Sequence, residues 1–262
     1  MREERIQFAA SDGTRLTGIW VVPSDTPIGA VVLAHGITVD KNEGGFYTTL
    51  AEELCNAGIA SLRFDFRGHG ESDGRSSDMT IAGEVKDLAA AAQEVQRRFH
   101  VAPAIVAASF GGGIAVLLAG AKEVDLSALV LLNPVLDYTR TFLRPETEWA
   151  RQWFNPQALR EAEATGTLDL GGFVLGKPLL DEFRRYEPLA RIPSLNMPVM
   201  IVHGTADSKV PFDPAKQASI ASRNVSLMAL EGADHGFAGR HQAVFRDVVG
   251  WLKEQMGKPG PR

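Results

Sequence analysis

The segment Ile105-Val106-Ala107-Ala108-Ser109-Phe110-Gly111-Gly112 predicts a buried strand that turns sharply into a helix at its serine. Small residues flank this serine, which suits a turn where the strand and the helix almost touch. A small-x-Ser-x-Gly turn places the serine hydroxyl above the sheet and points the next backbone N–H at a reacting carbonyl. Because short motifs recur by chance, the segment alone is equally compatible with a glycine-rich turn whose serine caps the helix.

Predicted strands and helices alternate on both sides of this turn. Apolar runs and alternating patterns predict strands over residues 5–10, 15–22, 30–34, 59–64, 104–108, 128–132, 198–202 and 225–230. Helical spacing predicts helices over residues 46–57, 77–99 and 242–256, besides the helix that follows Ser109. Ser77 or Asp78 is expected to cap the second of these. Strands that alternate with helices form parallel sheets with right-handed crossovers, so the predicted fold class is α/β.

The alternation stops at Asn133-Pro134 and resumes at residue 198. The intervening segment is too long for an ordinary loop and too rich in aromatic residues for a disordered linker. We therefore expect residues 1–133 and 198–262 to form a core domain, and residues 134–197 to form an inserted, mostly helical lid. Residues 257–262 are expected to fray.

Composition and charge argue against several classes of function. The 262 residues carry a formal net charge of -5 and no basic stripe of the kind that binds nucleic acid. No H-E-x-x-H motif, cysteine pair or phosphate-binding glycine loop is present, so neither a metal nor another cofactor is expected. Residues 101–121 are uncharged, but Pro103 and a glycine run interrupt them, so no membrane span is predicted. The lone Cys55 and the lack of a visible secretory signal favour a cytoplasmic protein, with a homodimer left open.

Two later segments supply the partners that a nucleophilic serine needs. Asp207 follows the predicted strand over 198–202, and His235 lies just past the predicted strand over 225–230. Ser109, Asp207 and His235 therefore all follow carboxyl ends of parallel strands, where open α/β sheets build their sites. A serine hydroxyl needs a neutral imidazole to take its proton, and a carboxylate holds that imidazole in the required tautomer. These three residues are predicted to be a catalytic triad.

Asp234 and Asp213 are alternative acids. Asp234 adjoins the predicted base in sequence, so its side chain should point elsewhere, and the setting of Asp213 is typical of a helix start. The oxyanion that forms in such a reaction needs backbone donors already in place. We expect these to be the N–H groups of Phe110 and of Ile37, which lies in the loop Ala34-His35-Gly36-Ile37-Thr38. A simple turn at the end of a strand is the other explanation of that loop.

The order Ser, Asp, His and the placement of the predicted strands resemble the α/β-hydrolase family over nearly the whole chain. Residues 63–74 match the D-x-R-G-x-G-x-S loop common in that family, with Asp65 and Arg67 expected to form a structural ion pair. Together with residues 170–173 and 231–235, this loop is similar to bacterial cinnamoyl and feruloyl esterases. The resemblance implies an α/β-hydrolase fold with a mostly parallel, eight-stranded sheet, a lid, and activity on hydroxycinnamate esters.

Three residues around the serine differ from those esterases. Ala107 stands where the usual motif has its first glycine, and its methyl group is small enough for the same turn. Ala108 and Phe110 replace the histidine and glutamine that often flank the serine. These differences bear on the substrate class more than on the role of Ser109.

The predicted function is hydrolysis of a small-molecule carboxylic ester through an acyl-serine intermediate. Small acyl or aryl groups are the expected substrates, because the aromatic residues of the predicted lid suggest a covered, apolar pocket. The resemblance to cinnamoyl and feruloyl esterases implies hydroxycinnamoyl-like aryl groups. Candidate substrate-binding residues are His35, Gly36, Asp137, Tyr138, Trp149 and Trp153. A thioesterase or an acyltransferase uses the same triad, and a non-catalytic relative that binds a ligand is a further alternative.

Overall fold

The main sheet is built from the segments whose apolar runs predict strands. The computed structural model describes residues 1–256, and its strands are β1 (Arg2–Ala9), β2 (Arg15–Val22), β3 (Gly29–Ala34), β4 (Ile59–Phe64), β5 (Ala104–Ala108), β6 (Ala128–Leu132), β7 (Thr167–Asp169), β8 (Val174–Gly176), β9 (Val199–Gly204) and β10 (Val225–Leu230). All of them except β7 and β8 form one sheet with the order β1-β2-β4-β3-β5-β6-β9-β10. The expected fraying of residues 257–262 concerns residues outside this description.

The pairing of the strands confirms the predicted sheet. β1 pairs with β2, and β2 with β4, in antiparallel register. The six strands from β4 to β10 in the sheet order pair in parallel. The eight-stranded, mostly parallel sheet expected from the sequence is therefore correct, and the carboxyl ends of its parallel strands share one edge.

Helices cover both faces of the sheet. They are α1 (Phe46–Asn56), α2 (Ile81–Phe99), α3 (Ser109–Ala121), α4 (Glu148–Trp153), α5 (Pro156–Thr165), α6 (Lys177–Glu182), α7 (Pro188–Arg191), α8 (Asp213–Ala221) and α9 (His241–Met256). α2 and α3 pack on one face, and α1 and α9 on the other. Because β3 is buried on both faces, it is apolar throughout, with Val31 facing one core and Val32 the other. None of the described helices is long and apolar enough to cross a membrane.

α2 begins later than the sequence pattern predicts. Thr80 is its N-cap, and the Thr80 hydroxyl accepts the N–H of Gly83 at 2.9 Å. The expected caps, Ser77 and Asp78, instead lie in a short 3₁₀ turn. The carboxylate of Asp78 binds the Arg75 guanidinium at 2.9 Å, so it does not cap the helix.

The ion pair expected between Asp65 and Arg67 does not form. The fully buried Asp65 carboxylate binds Nζ of Lys41 at 2.7 Å, in the loop between β3 and α1. The Arg67 guanidinium faces α2 instead, where it binds Asp87 at 2.7 Å. The two side chains leave the chain toward different neighbours and together fix the loop after β4.

Residues 134–197 separate β6 from β9 and are mostly helical. They contain a π-helical turn at Thr139–Leu143, the helices α4 to α7 and the hairpin of β7 and β8. Aromatic rings join this segment to the start of α3. The ring centroids of Phe142 and Phe183 lie 4.6 Å apart, and both rings contact Phe110. The inserted segment therefore packs beside the serine turn.

Candidate active site

Ser109 occupies a strained turn between β5 and α3. Its φ of 50° is a left-handed value that non-glycine residues rarely adopt, and its side chain is half-buried. The neighbouring backbone is very close, because a Cβ on Gly36 would lie 3.1 Å from that of Ser109. A Cβ on Gly111 would lie only 2.4 Å from the carbonyl oxygen of His35. This packing explains why small residues surround the serine.

Hydrogen bonds hold Asp207 and His235 together. Nδ1 of His235 lies 2.7 Å from Oδ2 of Asp207, while Oδ1 accepts the N–H groups of Lys209 and Val210 at 2.8 and 3.0 Å. The carboxylate is fully buried. Burial opposes its ionisation, but the imidazoles of His203, at 3.4 Å, and of His235 outweigh burial and hold the pKa of Asp207 well below its usual range.

The imidazole of His235 binds this carboxylate on one side and lines the cavity of Ser109. Because Asp207 is an acceptor, Nδ1 carries the proton, and Nε2 keeps a lone pair that can take a proton. His235 and Ser109 line the same cavity, which has a volume of about 70 Å³. The structure thus brings the three predicted catalytic residues to one place, at the carboxyl edge of the sheet.

Asn133 contributes to this geometry, and the sequence analysis missed it. It follows β6 directly and has a left-handed φ of 44°, which asparagine tolerates better than most residues. Its side-chain amide donates to the carbonyl oxygen of His235 at 2.6 Å and accepts the N–H of Gly204 at 2.8 Å. Asn133 therefore ties the loop that carries the histidine to the strand that precedes Asp207. Its one signal in the sequence is a polar residue directly after an apolar strand.

The other candidate acids point away from the imidazole. Asp234 is exposed, and its Oδ1 accepts the N–H of Ala238 at 2.8 Å. Asp213 starts α8 and binds the Arg140 guanidinium at 2.7 Å. Among the acids considered from the sequence, Asp207 is the one that meets His235.

Hydrogen bonds of His35 fix the direction of the Ile37 N–H in the loop after β3. Nε2 of the buried His35 accepts the N–H of Phe66 at 3.0 Å, so its Nδ1 carries the proton and donates to the carbonyl oxygen of Gly36 at 2.7 Å. A trans peptide holds its C=O and N–H in opposite directions, so the Ile37 N–H points away from His35. Ile37 and Gly36 line the cavity with Ser109.

The N–H of Phe110 belongs to the first turn of α3, whose N–H groups have no intrahelical partner. The Phe110 side chain points the other way, into the core, and is 1% exposed. The role of the Phe110 N–H as an oxyanion donor stays a prediction.

The predicted substrate-binding residues divide into two groups. Gly36 and Trp149 line the cavity with Ser109. His35 does not, because both of its ring nitrogens bind backbone groups in the interior. Trp153 packs near Gly171 in the inserted segment instead, 3.2 Å from where a Cβ on that glycine would lie.

Asp137 and Tyr138, also predicted to bind substrate, do not line the cavity with Ser109. They line a separate cavity of about 390 Å³ at the base of the inserted segment. Most of the Tyr138 ring is buried against aromatic neighbours such as Phe183, 5.6 Å away between centroids. Strand-end proximity alone suggested their role, and the chain turns away from Ser109 after Val135.

Two charged residues of the cavity were not anticipated. Glu43, which precedes α1, and Lys209, which follows the candidate acid, both line it. No sequence pattern distinguishes Glu43 from the other acidic residues of the chain. Within residues 1–256, no group of three or more His, Cys, Asp or Glu side chains is arranged to hold a metal ion.

A larger cavity of about 870 Å³ lies away from this site. It is lined by residues such as Ile28, Val101 and Met256, at the opposite edge of the sheet, where the parallel strands begin. It contains none of the candidate catalytic residues. The candidate catalytic residues Ser109 and His235 therefore lie at the smaller of these two cavities.

Comparison with known proteins agrees with this fold. The chain is 26% identical to the Salmonella typhimurium protein YfhR, over 94% of this chain and 80% of that protein. It is 24% identical to the monoacylglycerol lipase of Mycolicibacterium smegmatis, over 95% and 96% of the two chains. The structure of Est1E from Butyrivibrio proteoclasticus with bound ferulic acid superimposes with a TM-score of 0.83 at 23% identity, covering 97% of this chain and all of that one.

A family model supplies the identification. Residues 25–167, more than half of the chain, match the model of the serine aminopeptidase S33 family. The match includes the serine turn and the loop after β3. The chain therefore belongs to the serine aminopeptidase S33 family and is an α/β-hydrolase of the esterase and lipase type.

Proposed function

We propose that this chain is a carboxylic-ester hydrolase that works through an acyl-serine intermediate, with Ser109 as nucleophile, His235 as base and Asp207 as the acid that orients it. The observation that carries the proposal is the placement of His235, which binds Asp207 through Nδ1 and lines the cavity that contains Ser109. An imidazole held in this way keeps Nε2 free to take a proton. This arrangement supports catalysis rather than ligand binding alone.

In the proposed reaction, Nε2 of His235 takes the hydroxyl proton of Ser109 while Oγ attacks the ester carbonyl carbon. The N–H groups of Ile37 and Phe110 stabilise the resulting oxyanion, a contribution of about 10²–10³ in kcat for one such donor in subtilisin. The C–O bond to the alcohol then breaks as the imidazolium gives its proton to the leaving oxygen. Water attacks the acyl-serine by the same steps and releases the carboxylic acid.

The size of the cavity supports a small acyl group. Its volume of about 70 Å³ has room for a few water molecules, which need roughly 10–15 Å³ each on this scale. An acetyl or propionyl group fits such a space, whereas sites for drug-sized ligands span about 300–1,000 Å³. A hydroxycinnamoyl group is the second candidate, supported by the likeness to Est1E with ferulic acid. It requires the cavity to widen.

We also propose that residues 134–197 act as a lid over this site, on a core made of the rest of the chain. Val135, Phe142 and Trp149 from this segment line the cavity. The backbone N–H of Trp149 donates to the carbonyl oxygen of Ser208 at 3.3 Å, which links the segment to the loop of the candidate acid. Movement of this segment is the simplest way to widen the cavity for a larger acyl group.

The proposal is tested by active-site labelling together with a substrate panel. A fluorophosphonate should label the wild type on Ser109, and Ser109→Ala should lose both the label and ester turnover while staying folded. The panel contains p-nitrophenyl esters of increasing chain length, methyl hydroxycinnamates and acyl-CoA thioesters, assayed with and without an added alcohol. We expect the highest kcat/KM with acetate or propionate esters. Label on another serine contradicts the triad, and preferred turnover of a thioester, or acyl transfer to the alcohol, contradicts ester hydrolysis.

A further inference from the structure

Glu43 reaches back from the start of α1 to the loop after β3. Its Oε2 accepts the N–H of Gly36 at 2.7 Å. It also lines the cavity that contains Ser109 and His235. A carboxyl group at this depth, beside the reacting serine, has no part in the triad and calls for a separate explanation.

The backbone around Glu43 is shaped to bring the side chain to this position. Glu43, Gly44 and Gly45 have φ values of 48°, 62° and 93°, all in the left-handed region. A glutamate in that region is strained, whereas the two glycines after it adopt it freely. The Glu43 N–H donates to the carbonyl oxygen of Asp40 at 2.9 Å, which closes the turn. Strain of this kind persists where the surrounding structure requires the conformation.

Glu43 and His35 hold Gly36 from its two sides. The carboxyl of Glu43 takes the Gly36 N–H, and Nδ1 of His35 donates to the Gly36 carbonyl oxygen. Both peptide planes that meet at the Gly36 Cα are thereby fixed. The second plane carries the N–H of Ile37, whose direction follows from the position of the Gly36 carbonyl.

We propose that Glu43 is a positioning residue that fixes the Ile37 N–H as an oxyanion donor by accepting the Gly36 N–H. The role rests on the proposed ester hydrolysis at Ser109. Glu43 acts through the backbone and transfers no proton. The second oxygen of its carboxyl makes no hydrogen bond with the residues described here, so the bond to Gly36 is its structural contribution.

The acceptor does not depend on the charge of the carboxyl. Burial raises the pKa of Glu43 above its ordinary value, against the effects of the Gly36 N–H, His235 and Lys209. Neutral or ionised, the group still offers an oxygen to the Gly36 N–H. A glutamine, which keeps such an oxygen without charge, should therefore replace it.

Loss of this acceptor should lower kcat more than it changes KM. The Ile37 donor acts on charge that develops only in the transition state, so misplacing it leaves ground-state binding largely intact. For Glu43→Ala we expect kcat for p-nitrophenyl acetate to fall about 10–100-fold, with KM within about threefold. Glu43→Gln should stay within about threefold of wild type in both constants.

Two further variants separate this role from a general effect on folding. Glu43→Asp keeps the charge but draws the acceptor back by about 1.5 Å, one C–C bond, so its kcat should fall with that of Glu43→Ala. Glu52→Ala removes an exposed carboxylate from α1 and serves as the matched control. Thermal midpoints of all variants are measured alongside the kinetics. If Glu43→Ala does not fold, the kcat of Glu43→Asp compared with that of Glu43→Gln tests the proposal.

Amide hydrogen exchange, followed by NMR, reports on the same bond without any turnover. The Gly36 amide should exchange faster in Glu43→Ala and Glu43→Asp, and at the wild-type rate in Glu43→Gln. Unchanged kcat in Glu43→Ala, or an equal loss in Glu43→Gln and Glu43→Ala, overturns the proposal. If the wild type shows no turnover that depends on Ser109, the proposed function fails. In that case the exchange rate of the Gly36 amide still tests the contact between Glu43 and the loop. An unchanged rate in Glu43→Ala contradicts a hydrogen bond from Gly36 to Glu43, whereas a faster rate shows that Glu43 positions the loop.

Discussion

Replacing Asp207 by asparagine should remove most of the activity while preserving the shape of the side chain. In the wild type, Oδ1 accepts the N–H groups of Lys209 and Val210, and Oδ2 faces Nδ1 of His235. The asparagine oxygen has to stay with the two backbone donors, because an NH₂ group there would face them. Its NH₂ group then faces Nδ1 and forces the proton onto Nε2. That nitrogen can no longer accept the proton of Ser109.

The expected loss in kcat is about 10⁴-fold, as for the same substitution in a trypsin-type protease. A factor of this size corresponds to about 5.5 kcal/mol of lost transition-state stabilisation. Asp207 lies behind His235 and does not line the cavity. KM should therefore stay within about threefold of the wild-type value.

The assay is the initial rate of p-nitrophenyl acetate hydrolysis at neutral pH, with fluorophosphonate labelling to count active sites. Asp234→Asn is the matched control, because Asp234 adjoins His235 in sequence but bonds the N–H of Ala238. Its kcat should stay within about threefold of wild type. A loss in Asp234→Asn that equals or exceeds the loss in Asp207→Asn would refute the assignment of the acid.

Two further predictions concern the wall of the cavity and a buried acid. Trp149→Ala should raise kcat/KM for the butyrate ester relative to the acetate ester by about tenfold, because it widens the cavity that Trp149 lines; an unchanged ratio places the acyl group elsewhere. Burial raises the pKa of Glu84 well above its ordinary value, and its carboxyl oxygens have no hydrogen-bond partner among residues 1–256. A carboxyl whose pKa is raised by folding stabilises the native state at acid pH, and this stability is lost as the pH rises from about 4.3 toward the native pKa. In urea unfolding, the free energy of unfolding of Glu84→Gln minus that of wild type should therefore increase as the pH rises from about 5 to about 7, whereas a constant difference contradicts a raised native pKa of Glu84.

Much of the fold could be predicted because the signals that specify it are local. Strands β5 and β6 begin and end at the residues that the apolar runs predicted. A parallel strand buried on both faces needs a continuous apolar run, so its limits are visible in the sequence. The predicted start of α2 was less accurate. Several polar residues there could cap a helix, and one of them, Asp78, binds the neighbouring Arg75 instead.

The candidate triad was accessible for a related reason. Each of its members lies within a few residues of the end of a predicted strand, and parallel strands carry such residues to one edge of the sheet. Asn133 and Glu43 were missed because their partners, the His235 carbonyl and the Gly36 N–H, are defined only after loops have packed together. Residue type does not reveal a backbone partner, because every residue other than proline offers the same N–H and C=O groups.

The residue pattern alone predicts the alternation of strands and helices, the small residues around Ser109 and the order of the candidate catalytic residues. The directions of the polar loop side chains became visible only in the folded chain. His35 turns inward to fix a peptide instead of facing the cavity, and Asp65 binds Lys41 while Arg67 binds Asp87. The reason is that apolar periodicity follows from burial of a regular element, whereas a loop side chain turns toward whichever partner the rest of the chain brings near it.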